Sequence, residues 1–376
     1  GVAISRYFGA GDDARVERAI HANIFVNLLS GIFLTIFGVL LTPTILRWMG
    51  TDPEVLPDAI SYFRYYFTGV LAVMLYNACK SVMNALGDSK RPLYYLLLSS
   101  AVNIALDILF IGGFGWGVWS AAVATVISQA ISMILCLIQL SRKTAKYRLR
   151  LSHLRADREM IGLILRYGLP SGVQNSVIGL ANVVVQTNIN SFGKIAMAAY
   201  GTYSKLEGFA FLPITSFTMA LTTYTSQNLG AQKYDRVKDA YKKAVFAATA
   251  ISIVAFLCFQ FFPRQIIGIF GSGSEEYLHF AERYFRIFLF FTFLNGIQPV
   301  SSNFFTSIGA PKKGIFLSLT RQIIFLLPLL LIFPYLFGID GVMYTAPIAD
   351  LAAASVSIVM VVREFKIMAE LQKATA

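Results

Sequence analysis

"SRYFGAGDDARV", Ser5 to Val16, returns far downstream as "SQNLGAQKYDRV", Ser226 to Val237. Ser5, Gly9, Ala10, Arg15, Val16 and Ala19 fall on Ser226, Gly230, Ala231, Arg236, Val237 and Ala240 at an offset of 221. The match continues along the chain. Gly50 falls on Gly271, Tyr62-Phe63-Arg64 on Tyr284-Phe285-Arg286, Gly87 and Lys90 on Gly309 and Lys312, and Gly117-Val118 on Gly341-Val342, the offset drifting only to 224. One such match carries little; a collinear series is the mark of an internal duplication.

Composition says what is duplicated. Of 376 residues, 56% are hydrophobic and 14% charged, far below the roughly 25% charged of soluble domains. Long apolar stretches account for the deficit. Ten predicted spans lie at 20–46, 57–85, 92–112, 116–140, 160–190, 195–226, 240–262, 276–308, 313–337 and 341–363, each near or above the ~20 residues that cross a bilayer. The fold class is therefore an all-α polytopic membrane protein. Because the matched segments take the same place relative to the spans, the copies run in parallel, as two pseudo-symmetric lobes about an axis along the membrane normal.

The lobes are unequal in this chain. Residues 1–140 hold four spans and residues 160–376 hold six, joined by the basic linker "SRKTAKYRLRLSHLRADRE" at 141–159. The expectation is two six-helix lobes with ten of twelve transmembrane helices present and about sixty residues preceding Gly1; a ten-helix protein is the alternative. The net charge of +12 is placed asymmetrically. Alternate loops carry Arg15, Arg18, Lys90, Arg91, the cluster 142–158, Lys233, Arg236, Lys238, Lys242, Lys243, Lys312 and Lys313; the opposite loops hold little beyond Arg47, Lys194 and Arg264. That bias predicts a multi-pass protein of the cell inner (plasma) membrane with basic loops and C-terminus cytoplasmic. No basic soluble segment interleaved with aromatics is present to hold nucleic acid.

Enzyme signals are missing: no GxSxG, no Walker loop, no paired metal-binding histidines. "GGFGWG", Gly112 to Gly117, joins two spans and reads as a tight turn. Cys79, Cys136 and Cys258 fall inside spans and read as small buried apolar residues. His21, His153 and His279 are scattered near span ends, without metal spacing. No cofactor is expected.

Ionisable residues inside spans are expensive and therefore functional candidates. Asn103 and Asp107, in "NIALDILF", share one helical face a turn apart. The pair suits a dehydrated cation or a proton; equally, Asp107 is read as a buried group satisfied by neighbours. Lys205 and Glu207, two apart in "SKLEGFAFLP", cannot face each other on a helix. Glu207, Lys205, Asp350 and Lys80 are candidates for a substrate cavity, with packing roles as the alternative, Asp350 sitting in the alanine-rich "APIADLAAA". Arg64 and Arg286 are expected to snorkel, and so are Lys80 and Arg321, with a role toward anionic lipid or substrate as the alternative for these last two.

"SQNLGAQKYDRV", "NALGDSKRPL" (Asn84–Leu93), "NIALDILFIGGFGWGVWSAAVAT" (Asn103–Thr125), "SKLEGFAFLP" and "GVMYTAPIAD" together resemble the multidrug and toxic compound extrusion (MATE) transporters, over essentially the whole chain. The resemblance implies a secondary antiporter that exports organic cations or amphipathic drugs against Na⁺ or H⁺ by alternating access, as a monomer in the bilayer. It also implies an ion site in which Asn103, Asp107 and Thr125 match three of four ligands, the fourth being a first-helix aspartate beyond this chain. The branch with acidic residues on the seventh and tenth helices is not matched, because Gly172–Asn190 and Phe285–Ser307 contain no Asp or Glu. The alternative within the superfamily is a flippase of a lipid-linked saccharide or an exporter of an anionic metabolite; a channel is the third reading.

Overall fold

A computed structural model describes residues 1–142, 146–269 and 274–375 of the chain. The helices are α1 Val2–Ala10, α2 Asp13–Trp48, α3 Leu56–Thr68, α4 Val70–Ala85, α5 Lys90–Asp107, α6 Trp119–Ser141, α7 Arg158–Asn190, α8 Lys194–Gly230, α9 Tyr234–Phe261, α10 Pro263–Ile269, α11 Glu275–Phe288, α12 Ile297–Ser307, α13 Pro311–Leu319, α14 Leu327–Phe337 and α15 Ile339–Thr375. There is no strand among the described residues. Helix α5 runs on as a π-helical turn, Ile108–Gly113, and a second π turn, Thr320–Leu326, links α13 to α14.

Six of these helical runs are long and apolar enough to cross a membrane: α2, α5 with its π turn, α6, α9, α13 to α14, and α15. The other four predicted spans are helical too. The spans 160–190 and 195–226 are the unbroken α7 and α8, lowered in hydropathy by the amides of Gln174, Asn175, Asn182 and Gln186 and by Lys205 and Glu207. The spans 57–85 and 276–308 are each broken in the middle, at Gly69 and at Leu289–Gly296 respectively. A Cβ on Gly69 would lie 2.7 Å from Val126 Cγ2, so that break lets span and neighbour touch.

The duplication is visible in the backbone. Gly11 (φ 74°) and Gln232 (φ 56°) both end a helix in the left-handed conformation. The amide after each returns to the matching carbonyl, Asp12 to Tyr7 at 3.1 Å and Lys233 to Asn228 at 2.8 Å. Gly87 and Gly309 repeat the device at φ 91° and 90°. The opening dodecamer and its echo are thus helix stops followed by helix starts. Gly271 lies outside the described residues, so its match to Gly50 has no structural counterpart here.

The chain divides into two compact units, residues 3–164 and 165–376, with the division inside α7. In the first, Val16, Ile20, Ile24, Leu75, Cys79, Val82 and Cys136 make the core, and the linker's Tyr147 and Leu149 join it with Met160 at the start of α7. In the second, one cluster gathers Tyr203, Tyr284, Phe285, Leu330 and Met343, and another Val237, Tyr241, Phe304, Phe305 and Leu317. Serines fill much of the polar interior, Ser128, Ser132, Ser301 and Ser307 among them, while Leu, Ile and Phe of α2 such as Phe33, Ile36 and Leu40 face out. Small residues inside and bulky apolar ones outside is the packing expected of helices in lipid. Cys258 departs from the expectation of burial: it is exposed, on an outward face of α9.

The linker is seated rather than loose. Leu149 N–H donates to Leu140 O at 2.8 Å and Arg148 Nε to Ser141 O at 2.9 Å. Arg18 clasps Asp157 at 2.7 Å and Glu159 at 2.8 Å, and the Tyr147 hydroxyl donates to Asp13. Arg18 holds Asp157 below the usual carboxylate range, and the Tyr147 hydroxyl, then Lys146, do the same for Asp13. Residues 143–145 of the linker lie outside the described residues.

Candidate functional site

In the first unit, α5 and α6 bring together the polar residues of "NIALD" and "SAAVAT". Asn103 Nδ2 approaches Thr125 Oγ1 at 3.5 Å, and Thr125 Oγ1 donates back to Ala121 O at 3.0 Å. The hydroxyl's lone pairs therefore face Asn103. Asp107 follows one turn along the same face, and its Oδ1 is buried without a hydrogen-bond partner among the described residues. That is an unusual state for a carboxylate oxygen, since buried polar atoms are nearly always satisfied. The helix changes here from α to π, at Ile108. A π turn widens the hydrogen-bond ring and re-aims side chains, and is frequent at working sites. Trp116 and Trp119 stack 5.4 Å apart beyond the turn, with Phe110 at 4.9 Å from Trp116, so aromatic rings close this end. Of "GGFGWG", Gly112 and Gly113 belong to the π turn, and only the segment from Phe114 to Gly117 makes the connection to α6, with Gly115 at φ 65°.

The second unit holds a different arrangement at the corresponding interface. Arg321 Nε meets Asp350 Oδ1 at 2.6 Å. Shifted back by offsets of 222 and 224, these residues land on Ser99 and Val126, within a turn of Asn103 and Thr125. Asp350 is 6% exposed. Arg321 does not snorkel: it stands on the π turn, facing inward to a carboxylate that would otherwise be buried alone. Arg286 is likewise paired, to Glu282 at 2.9 Å. Sequence reading missed the Arg321–Asp350 pair because its members lie on neighbouring helices, 29 residues apart; the available signal was one cation and one anion at similar depth in consecutive spans.

Glu207 sits within electrostatic reach of Tyr203, Arg321 and Asp350. It also lines a small void of about 10 Å³ with Ser252, Thr292 and Asn295. Ser252 Oγ and Thr292 Oγ1 are buried there without partners among the described residues. Void and lining are enclosed within the second unit, and Glu207 is half-buried. Lys205 is exposed, on another face of α8, and Lys80 is half-buried on α4. Within the second unit Glu207 and Asp350 converge on Arg321, while Lys205 lies on another face of α8; Lys80 belongs to the first unit.

The histidines were read as scattered, and two of them are not. His21 and His153 approach to 5.6 Å between ring centroids beside Glu17. The folded linker makes this contact, and nothing in local spacing signals it.

The family model described as MatE matches residues 1–109 and 170–332. The chain is 29% identical over 310 residues to the probable multidrug resistance protein YoeA of Bacillus subtilis, covering 80% of this chain and 66% of that one. It is 24% identical over 361 residues to the multidrug export protein MepA of Staphylococcus saprophyticus, covering 96% and 79%. Among solved structures it superposes on a MOP superfamily transporter from Pyrococcus furiosus with a TM-score of 0.92 at 24% identity, covering 98% of this chain and 82% of that one. A MATE structure in the bent conformation gives 0.93 at 24% identity, covering 99% and 83%. The chain therefore spans about two thirds to four fifths of the proteins it matches.

Proposed function

The chain belongs to the MatE family, and from that premise we propose that it is a secondary antiporter exporting organic cations or amphipathic drugs in exchange for Na⁺ or H⁺. The family is one of membrane transporters, not enzymes, and the long apolar helices make this a multi-pass membrane protein. The observation that carries the coupling is Asp107, whose Oδ1 is buried without a partner among the described residues, beside the Asn103–Thr125 contact. A carboxylate, an amide oxygen and a hydroxyl are hard ligands of the kind a small cation takes, and the carboxylate alone serves a proton.

The charge does the work. A bare carboxylate in a span is disfavoured by about 3 kcal/mol on insertion scales. Neutralising it by a proton or cation from outside removes that term. A conformation in which Asp107 is dry is then populated, and substrate is released outward; discharge of the ion inward restores the first state. Two states separated by a few kcal/mol respond to such a change by two orders of magnitude. Lobes rocking about the bilayer midplane supply the two states. The reading places basic loops and C-terminus in the cytoplasm, in line with the positive-inside bias.

The flippase or anion-exporter alternative needs cationic residues free to meet an anion. Arg321 is taken by Asp350, which removes the strongest such candidate and leaves only Lys80 and Lys205. Export, measured as drug-resistance rescue by a well-expressed Asp107→Asn variant, is the deciding experiment. Wild-type export by that variant overturns the coupling role.

A further inference from the structure

A third grouping lies in the first unit, and the coupling proposed above does not use it. Glu17 and His21 sit one turn apart on α2, and the turn Leu151–His153 of the linker brings His153 alongside. One carboxylate oxygen and one nitrogen from each ring lie within 4.8 Å of one another. His153 Nδ1 is 3.6 Å from Glu17 Oε1. The three line a pocket of about 410 Å³ with Arg18, Arg155 and Asp157.

We propose that Glu17, His21 and His153 form a binding site for a divalent transition metal of the Zn²⁺ class. Two imidazoles and a carboxylate are a donor set that zinc takes, with a fourth position left for water. His21 is held in the tautomer the role needs, although its Nε2 lone pair now accepts a backbone hydrogen bond. The Arg150 backbone N–H, which can only donate, points at His21 Nε2 at 3.1 Å. The ring proton is therefore on Nδ1, which donates to Glu17 O at 2.8 Å. This is the tautomer of a metal-ligating histidine, lone pair on Nε2 and the other nitrogen anchored to a carbonyl. Tetrahedral zinc ligands stand about 3.4 Å apart, so the donors must close by roughly 1.4 Å at most. Glu17 and His153 are both about half exposed and free to turn; His21 is buried and fixed.

Charge favours a cation at the same place. Arg18 is already engaged by Asp157 and Glu159, which leaves the Glu17 carboxylate to compensate the metal; Arg155, exposed at the pocket rim, is the opposing charge. Because the metal takes the lone pair that now accepts from Arg150, loading the site displaces the linker backbone there. Metal occupancy and the seat of the linker on α2 are therefore coupled.

The test is titration of the untagged full chain in detergent with Zn²⁺ and with Co²⁺, whose visible absorption reports nitrogen and oxygen ligation. One metal per chain is expected, weakened at least about tenfold by His153→Ala and by Glu17→Gln and unchanged by His279→Ala in the other unit. Proteolysis of the linker should change on loading in the wild type only. Both variants alter exposed side chains, and equal melting temperatures without metal confirm that they fold. Asp107→Asn should bind metal as the wild type does, so loss of export and loss of this site are separate results. Absence of saturable binding, or binding that ignores both His153→Ala and Glu17→Gln, overturns the proposal.

Discussion

The same helix interface is built twice, and the two copies treat their carboxylates in opposite ways. Between α5 and α6 an oxygen of Asp107 is buried with no partner among the described residues, near a neutral Asn103–Thr125 contact. Between the second π turn and α15, Asp350 is closed by Arg321 at 2.6 Å. The duplicated scaffold is alike down to the left-handed residue that ends its helices. The difference is therefore local: one interface carries its own cation and the other does not. An interface with a resident guanidinium has little need of a transported ion, whereas one without it does. On the proposed function, this asymmetry puts coupling in the first unit and cohesion in the second.

The largest effect should come from breaking the closed copy. Arg321→Met leaves Asp350 buried and uncompensated, and removing one member of a buried pair costs about 3–5 kcal/mol. Thermal unfolding in detergent should fall sharply, and the double variant with Asp350→Leu should recover most of the loss, since an apolar pair of similar volume is tolerated. A single variant with wild-type stability shows that the pair is not what holds these helices.

Opening the comparison from the other side gives the next effect. Asp107→Asn should not lower the melting temperature, since it removes an uncompensated charge, and should reduce ion-coupled export by about two orders of magnitude, the ratio equivalent to ~3 kcal/mol. Thr125→Ala should reduce it by only about tenfold, because it removes one neutral oxygen and leaves the charge. Assay in vesicles under imposed Na⁺ or pH gradients reads both. If Asp350→Asn abolishes export at unchanged stability while Asp107→Asn does not, the assignment of the two copies is reversed.

These two interfaces also mark what the sequence disclosed. The periodic glycines, the positive-inside bias and the apolar spans made the repeat and the helical membrane fold legible, because each is a local or collinear pattern. Asn103 and Asp107 were legible as a pair because one helical turn separates them. Arg321 was misread as a snorkelling residue: depth within a span is visible in sequence, but which neighbour a side chain faces is decided by packing. The meeting of His21 with His153 was invisible for the same reason, since the two are 132 positions apart and meet through the folded linker. The breaks at Gly69 and at Leu289–Gly296 were also missed, because a hydropathy window averages over one irregular turn.

A smaller effect tests the linker, which belongs to the first unit alone. Asp157 is held below the usual carboxylate range by Arg18. A depressed carboxylate contributes stability that is present above the ordinary aspartate value of about 3.9 and is lost as pH falls through its lower folded value. Seating of the linker, followed by limited proteolysis, should therefore be constant from neutral pH to about 5 and loosen only below about 4. Asp157→Asn should loosen it at all pH values. Loosening of the wild type between pH 7 and 5 shows that another group holds the linker.

The smallest effect returns to the echoed dodecamers. Gly11 and Gln232 occupy the same left-handed stop, at φ 74° and 56°, and only glycine adopts it without strain. A side chain there costs roughly 1–2 kcal/mol, partly offset by the roughly 0.5–1 kcal/mol of extra chain entropy that a glycine loses on folding. Gln232→Gly should therefore stabilise the second unit by about 0.5–1 kcal/mol, and Gly11→Ala should destabilise the first by a similar amount. A Cβ on Gly11 meets nothing within 4 Å, so its penalty is purely one of backbone conformation. If the two substitutions shift the melting temperature in the same direction, the stops are not equivalent, and the likeness of the two copies ends before their helices do.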